Sequence, residues 1–352
     1  FEELKLDLYE ADTPVNYLRP LLIYIHGGGF TGGDKTADKA LDFGEYFSKR
    51  GYVVASINYR LGKEKPGTTT DNFQTVYMAT QDCKSAVRYL KSKSSEYCLD
   101  TSAFYVTGTS AGATLALLCV YWDQEEADQA VNQTAFFGSL DTSSGNAGYS
   151  SQLNSAVICW GGITDTTWLQ GETEPNLLFH GTLDPTIPYT EGYNPDSVYL
   201  YGGFIIHRAS VEYGLESYLK PFEGFGHGVD HNTPEFDTLL TMTDTFLYAH
   251  LPSNIGNLLC HPVPEPDHTA LQVYPNPSDG KIYVSNPSAI SIYAGAVILY
   301  DITGRVIFSG DVIIAPQTAA LLNFDQVSNG MYFLQLKNNL ESTTSRVLIS
   351  RP

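Results

Sequence analysis

The chain has 352 residues, 43% hydrophobic and 17% charged, enough for one large domain or a large one with a small companion. Twenty Lys and Arg stand against 39 Asp and Glu, and the net charge of −19 opposes a general nucleic-acid or anionic-membrane binder. No uninterrupted apolar run reaches the length of a transmembrane helix.

In chain order, "PLLIYIHGG" (20–28) and "YVVASINYR" (52–60) read as buried, β-branched strands bounded by turns. Val76, Ala79, Cys83, Ala86, Val87 and Leu90 then recur at three- and four-residue steps, the apolar face of an amphipathic helix. "FYVTG", "SAVICWGG" and "NLLFHG" repeat the strand pattern downstream. Near-continuous apolar strands alternating with helices predict an α/β domain over residues 1–250, with a mostly parallel, doubly wound sheet. Residues 251–270 are rich in Pro and Asn and read as a linker. From 271 to 352 come short strands such as "KIYVS", "AVILYD", "MYFLQL" and "RVLIS", divided by Gly, Asn and Pro turns. With no helix between them, they predict a small all-β, Ig-like sandwich.

Five cysteines, at 83, 98, 119, 159 and 260, show no CxxC spacing, which argues against a zinc site. Cys83 and Cys98 flank a 14-residue segment. They either close a loop in an oxidising compartment or sit as two ordinary buried thiols.

Two motifs carry chemistry. "YVTGTSAGATLAL" runs an apolar strand into an apolar helix through small residues centred on Ser110. Gly108-Thr109-Ser110-Ala111-Gly112 fits the G-x-S-x-G nucleophile elbow, a strained turn that exposes one side chain at the carboxyl edge of a sheet. The N–H groups at the start of the helix that follows favour developing negative charge. Upstream, "HGGGF" (26–30) closes another strand, and its glycines let backbone N–H groups converge on one point, as an oxyanion hole requires.

Together, and in this order, the motifs resemble the HGGG-type α/β-hydrolase esterases, related to hormone-sensitive lipase and to bacterial feruloyl and acetyl esterases. The resemblance spans about residues 3–250, with "LDLYEAD" before the oxyanion strand and "INYRLG" after it. It implies Ser110 as nucleophile, the N–H groups of Gly28, Gly29 and Ala111 as oxyanion hole, and His26 as an anchor of that loop. The acid and base should follow in the order Asp or Glu, then His. Asp184 stands after "LLFHG" in a turn stiffened by Pro185 and Pro188, where the family has its acid. His227 lies between glycines in "EGFGHGVD". The other histidines compete less well: His180 is inside a strand, His207 and His250 are in helix-like stretches, and His231 lacks the glycine frame. The implied reaction needs neither metal nor organic cofactor.

The 74 residues from Ser110 to Asp184 leave little room for a large cap. Trp160, at the carboxyl end of a strand, and Trp168 either stack on an aromatic acyl group or a sugar face, or pack the surface. Phe30, beside the oxyanion loop, is a third candidate contact that reads more readily as structural.

The tail carries Tyr274-Pro275-Asn276-Pro277, Tyr300-Asp301 with Gly304-Arg305, and Asn329-Gly330-Met331-Tyr332. It resembles the C-terminal sorting domain of type IX secretion over about residues 271–351. That implies the type IX machinery as a partner and a secreted or surface-attached enzyme. A carbohydrate-binding role for this domain is disfavoured by the lack of a row of tryptophans. The expectation is a secreted serine carboxylesterase acting on acetyl or feruloyl-type esters of plant polysaccharide. A polyester hydrolase, a serine peptidase of the same fold and an adhesion module on an inactive fold are the competing readings.

Overall fold

A computed structural model describes residues 4–11, 17–62, 69–131, 134–143, 145–253, 255, 260, 271–286, 293–315, 318–337 and 342–351. The chain divides into two compact units, Phe1–Pro262 and Val263–Pro352.

The first unit is built on a seven-stranded sheet in the order β1 (Leu6–Tyr9), β3 (Val53–Ile57), β2 (Arg19–Ile25), β4 (Leu99–Thr109), β5 (Ser155–Cys159), β6 (Asn176–Gly181) and β9 (Ser217–Phe222). Only β1 runs antiparallel. A separate hairpin, β7 (Glu191–Tyr193) with β8 (Tyr199–Tyr201), follows β6. The inner strands look uniformly apolar because both of their faces are buried. Along β2, Leu21, Ile23 and Ile25 enter one core while Leu22 and Tyr24 enter the other.

The helices of the unit are α1 (Asp38–Ser48), α2 (Thr69–Ser92), α3 (Ala111–Tyr121), α4 (Gln124–Ala130), α5 (Thr134–Phe137), α6 (Gly203–Glu212) and α7 (Pro234–Ala249). The first core takes side chains from α2, α3 and α6, and the second from α1 and α7. Helices on both faces leave the carboxyl edge of the parallel strands as the place where loops converge.

The disulfide differs from the Cys83–Cys98 pairing weighed above. Cys98 is bonded to Cys260, 162 residues away, with Cα atoms 5.4 Å apart. Cys83 is a buried free thiol on α2, in the same core as Cys119 of α3. Its place on the core face of the helix turns it away from Cys98, which lies beyond the helix end, just before β4.

The second unit has two antiparallel sheets. One is β10 (Gln272–Tyr274), β11 (Lys281–Asn286) and β14 (Thr318–Asn323); the other is β13 (Val306–Ile314), β12 (Tyr293–Asp301), β15 (Gly330–Lys337) and β16 (Ser342–Ile349). Alternate residues of both sheets, among them Ile282, Val284, Leu299, Leu334 and Val347, form one core between them.

Candidate active site

Ser110 stands at the junction of β4 and α3 with φ 55° and ψ −121°. A non-glycine residue in that region is strained and persists only when its surroundings hold it. Here the Ser110 N–H donates to Cys159 O at 3.0 Å, and Ser110 O accepts from Thr114 N–H at 3.0 Å. The flanking glycines answer to packing. A Cβ on Gly112 would lie 2.1 Å from Ile25 O, and one on Gly108 would lie 2.4 Å from backbone atoms of Gly112. The turn therefore needs both glycines to seat α3 against β2 and β4.

Two further loops at the same sheet edge bring Asp184 and His227 to Ser110. Asp184 follows β6, and His227 sits between β9 and α7, whose start is fixed by Pro234 and by Thr233 Oγ1 accepting from Phe236 N–H. Ser110 Oγ and His227 Nε2 are 2.8 Å apart, and His227 Nδ1 lies 2.8 Å from Asp184 Oδ2. With Nδ1–H donating to the carboxylate, Nε2 is free to accept the serine proton. Asp184 Oδ1 accepts from the N–H groups of Thr186 and Ile187 at 2.8 and 2.9 Å. Burial alone pushes the Asp184 carboxyl up, but hydrogen bonds from His180, His227 and Ile187 outweigh it and hold the group below the usual carboxylate range. Asp184 therefore stays ionised beside the imidazole.

The "HGGGF" stretch turns sharply after β2. Gly28, Gly29 and Phe30 all have positive φ, at 122°, 60° and 61°. Gly28 O accepts from the N–H groups of Thr31 and Gly32, each at 3.2 Å, which closes the turn. A Cβ on Gly28 would lie 2.1 Å from Gly32 O. His26 is buried beneath this loop. Its Nδ1 donates to Gly27 O at 2.7 Å, its ring stacks on Tyr59 at 4.4 Å, and burial lowers its pKa so that it stays neutral. His26 thus fastens the loop and lies outside the Ser110–His227–Asp184 chain of contacts.

Gly28, Gly29, Ala111, Ser110 and His227 line one cavity of about 1000 Å³. Phe30, Trp160 and Trp168 line it too, so all three aromatic candidates reach the cavity. Trp160 and Trp168 are nonetheless buried, and Trp168 packs on Trp122 with centroids 5.4 Å apart. They form rigid wall, not exposed surface. The tip of the β7–β8 hairpin, including Asn194 and Val198, makes another wall. This stretch, 189–203, is rich in tyrosine. Its strand alternation explains the rest: Leu200 faces the cavity while Tyr193 and Tyr199 point out to solvent.

Residues 6–174 match the BD-FAE family, and residues 272–350 match the secretion system C-terminal sorting domain. A 103-residue stretch is 32% identical to juvenile hormone esterase from Heliothis virescens, covering 29% of this chain and 18% of that protein. The chain thus spans less than a fifth of the length of this relative. Among solved structures, esterase 2 from Thermogutta terrifontis superposes with a TM-score of 0.54 in its propionate-bound form, at 23% identity over 70% of this chain and 90% of the other. Its butyrate-bound form gives 0.56 at 22% identity, with the same coverage. At that identity the likeness establishes the fold. The sorting domain marks the chain for type IX export, to the medium or the cell surface, and no helix among the described residues is long and apolar enough to cross a membrane. The chain therefore carries an α/β-hydrolase domain, of which residues 6–174 match the BD-FAE family model, followed by a region that matches the secretion system C-terminal sorting domain.

Proposed function

We propose that this chain is an exported serine carboxylesterase in which Ser110 is the nucleophile, His227 the general base and Asp184 the acid that orients it. The observation that carries the reading is the unbroken line of contacts, 2.8 Å from Ser110 Oγ to His227 Nε2 and 2.8 Å from His227 Nδ1 to Asp184 Oδ2. In this mechanism Ser110 Oγ attacks the ester carbonyl while its proton passes to His227 Nε2. The tetrahedral oxyanion is held by the N–H groups of Gly28, Gly29 and Ala111. Collapse breaks the ester C–O bond, and the alcohol leaves with the proton from Nε2. Water then repeats the sequence on the acyl-enzyme and regenerates Ser110.

The substrate side of the proposal is an acetyl or aromatic, feruloyl-type ester carried on plant polysaccharide. Export and a large cavity walled by Trp160 and Trp168 support it. The test is hydrolysis of p-nitrophenyl esters, methyl ferulate, acetylated xylan and one amide, with Ser110→Ala as control. Ester turnover should fall by at least about 10³-fold in the variant. The ranking of substrates names the acyl preference, and preferential cleavage of the amide would replace the esterase by a peptidase. Wild-type rates in Ser110→Ala would remove Ser110 from the mechanism.

A further inference from the structure

His180 is buried on β6, four residues before Asp184, and sequence reasoning passed over it as a strand histidine. Its ring is held from both sides. Gly203 N–H, at the start of α6, donates to Nδ1 at 3.2 Å. That donation leaves Nδ1 as an acceptor and puts the imidazole proton on Nε2. Nε2 in turn stands 2.9 Å from Ile187 O and 3.3 Å from Asp184 Oδ2. This is the same carboxylate oxygen that receives His227 Nδ1–H. Gly203 is required for the approach, since a Cβ there would lie 2.9 Å from His180 Nδ1.

We propose that His180 is a positioning residue for the reaction, its Nε2–H bonded to Ile187 O and facing Asp184 Oδ2, so that the turn carrying Asp184 keeps the direction that orients His227. The inference rests on the serine esterase reading above. The Asx turn pins only Oδ1, through the Thr186 and Ile187 N–H groups. The His180 ring, bonded to Ile187 O of the same turn and with its Nε2–H edge 3.3 Å from Oδ2, favours one orientation of the carboxylate plane when the His227 proton inventory changes. α6, through its first N–H, selects the tautomer that makes the donor available.

The two ends of the ring can be tested separately. His180→Asn keeps an acceptor near the Nδ1 position for Gly203 N–H but has nothing that reaches Asp184. His180→Gln keeps a donor near the Nε2 position but gives up the Gly203 contact. We expect His180→Asn to lower kcat by about 10–100-fold with KM changed by less than about 3-fold, and His180→Gln to retain most of kcat. A purely structural clamp between β6 and α6 predicts the reverse order, and that order would overturn the proposal. So would a His180→Asn enzyme as fast as wild type, or a His180→Gln enzyme as slow as His180→Asn. Thermal unfolding midpoints show whether each variant is folded under assay conditions. Ser110→Ala in the same assay separates the two levels: an inactive Ser110→Ala with a fully active His180→Asn sinks only the role of His180. A fully active Ser110→Ala sinks the esterase reading, and this inference with it.

Discussion

Three hydrogen bonds reach the Asp184 carboxylate, two at Oδ1 and one at Oδ2, and His180 Nε2 stands 3.3 Å from Oδ2. They make this residue a source of stability as well as, in the proposed mechanism, of orientation. Because its native pKa lies below the ordinary 3.8, the native state binds the proton less tightly than the unfolded chain does. The contribution is therefore complete above that ordinary value and is lost as pH falls toward the native one. Asp184→Asn should show a shallower loss of unfolding free energy than wild type between about pH 5 and about pH 3 in urea titrations. It should also lower kcat by about 10⁴-fold. Equal acid slopes in the two proteins would show that the hydrogen bonds to this carboxylate do not stabilise the native state. Ser110, Asp184 and His227 were legible because each occupies a turn just past a strand, framed by Gly or Pro. His180 was not legible, since a histidine inside an apolar strand carries no local mark of the residue it will face.

Among the elements, the junction of β4 and α3 is the most constrained. The atoms that a Cβ on Gly112 would strike are Ile25 O and His26 O, both backbone of a central strand and the loop it feeds. Neither can move without displacing the glycine loop after β2 or breaking strand pairing. Gly112→Ala should cost more than about 2 kcal/mol and lower the melting temperature accordingly. Gly148→Ala, where nothing lies within 4 Å, is the matched control and should leave it unchanged. Differential scanning calorimetry of the pair checks this, and equal midpoints would contradict the steric argument. β2 to β6 announce themselves because both faces are buried. β9 does not, because it lies at the sheet edge, half exposed, with Lys220 and Pro221 interrupting its apolar pattern. β1, at the other edge, is partly exposed throughout and entered the sequence reading only through the family resemblance.

For the molecule as a whole, the change of architecture was visible as a change of punctuation: helical spacing ends near residue 250, and Gly, Asn and Pro turns take over. The pairing of Cys98 was not visible, because sequence proximity favoured Cys83 while the actual partner lay beyond α7. That bond gives the chain a covalent topology with consequences for any protease that meets it. Residues 98–260 form a closed ring, and the sorting domain is attached on the far side of Cys260. A single cut between α7 and Cys260 opens the ring but separates nothing, because the sulfur bridge still holds the two pieces. A cut after Cys260 releases the β-sandwich outright. On a denaturing gel, the first product should run as one band without reductant and as two with it, while the second should run as two in both. A protease that detaches the export signal without help from a reductant must therefore cut on the carboxyl side of Cys260.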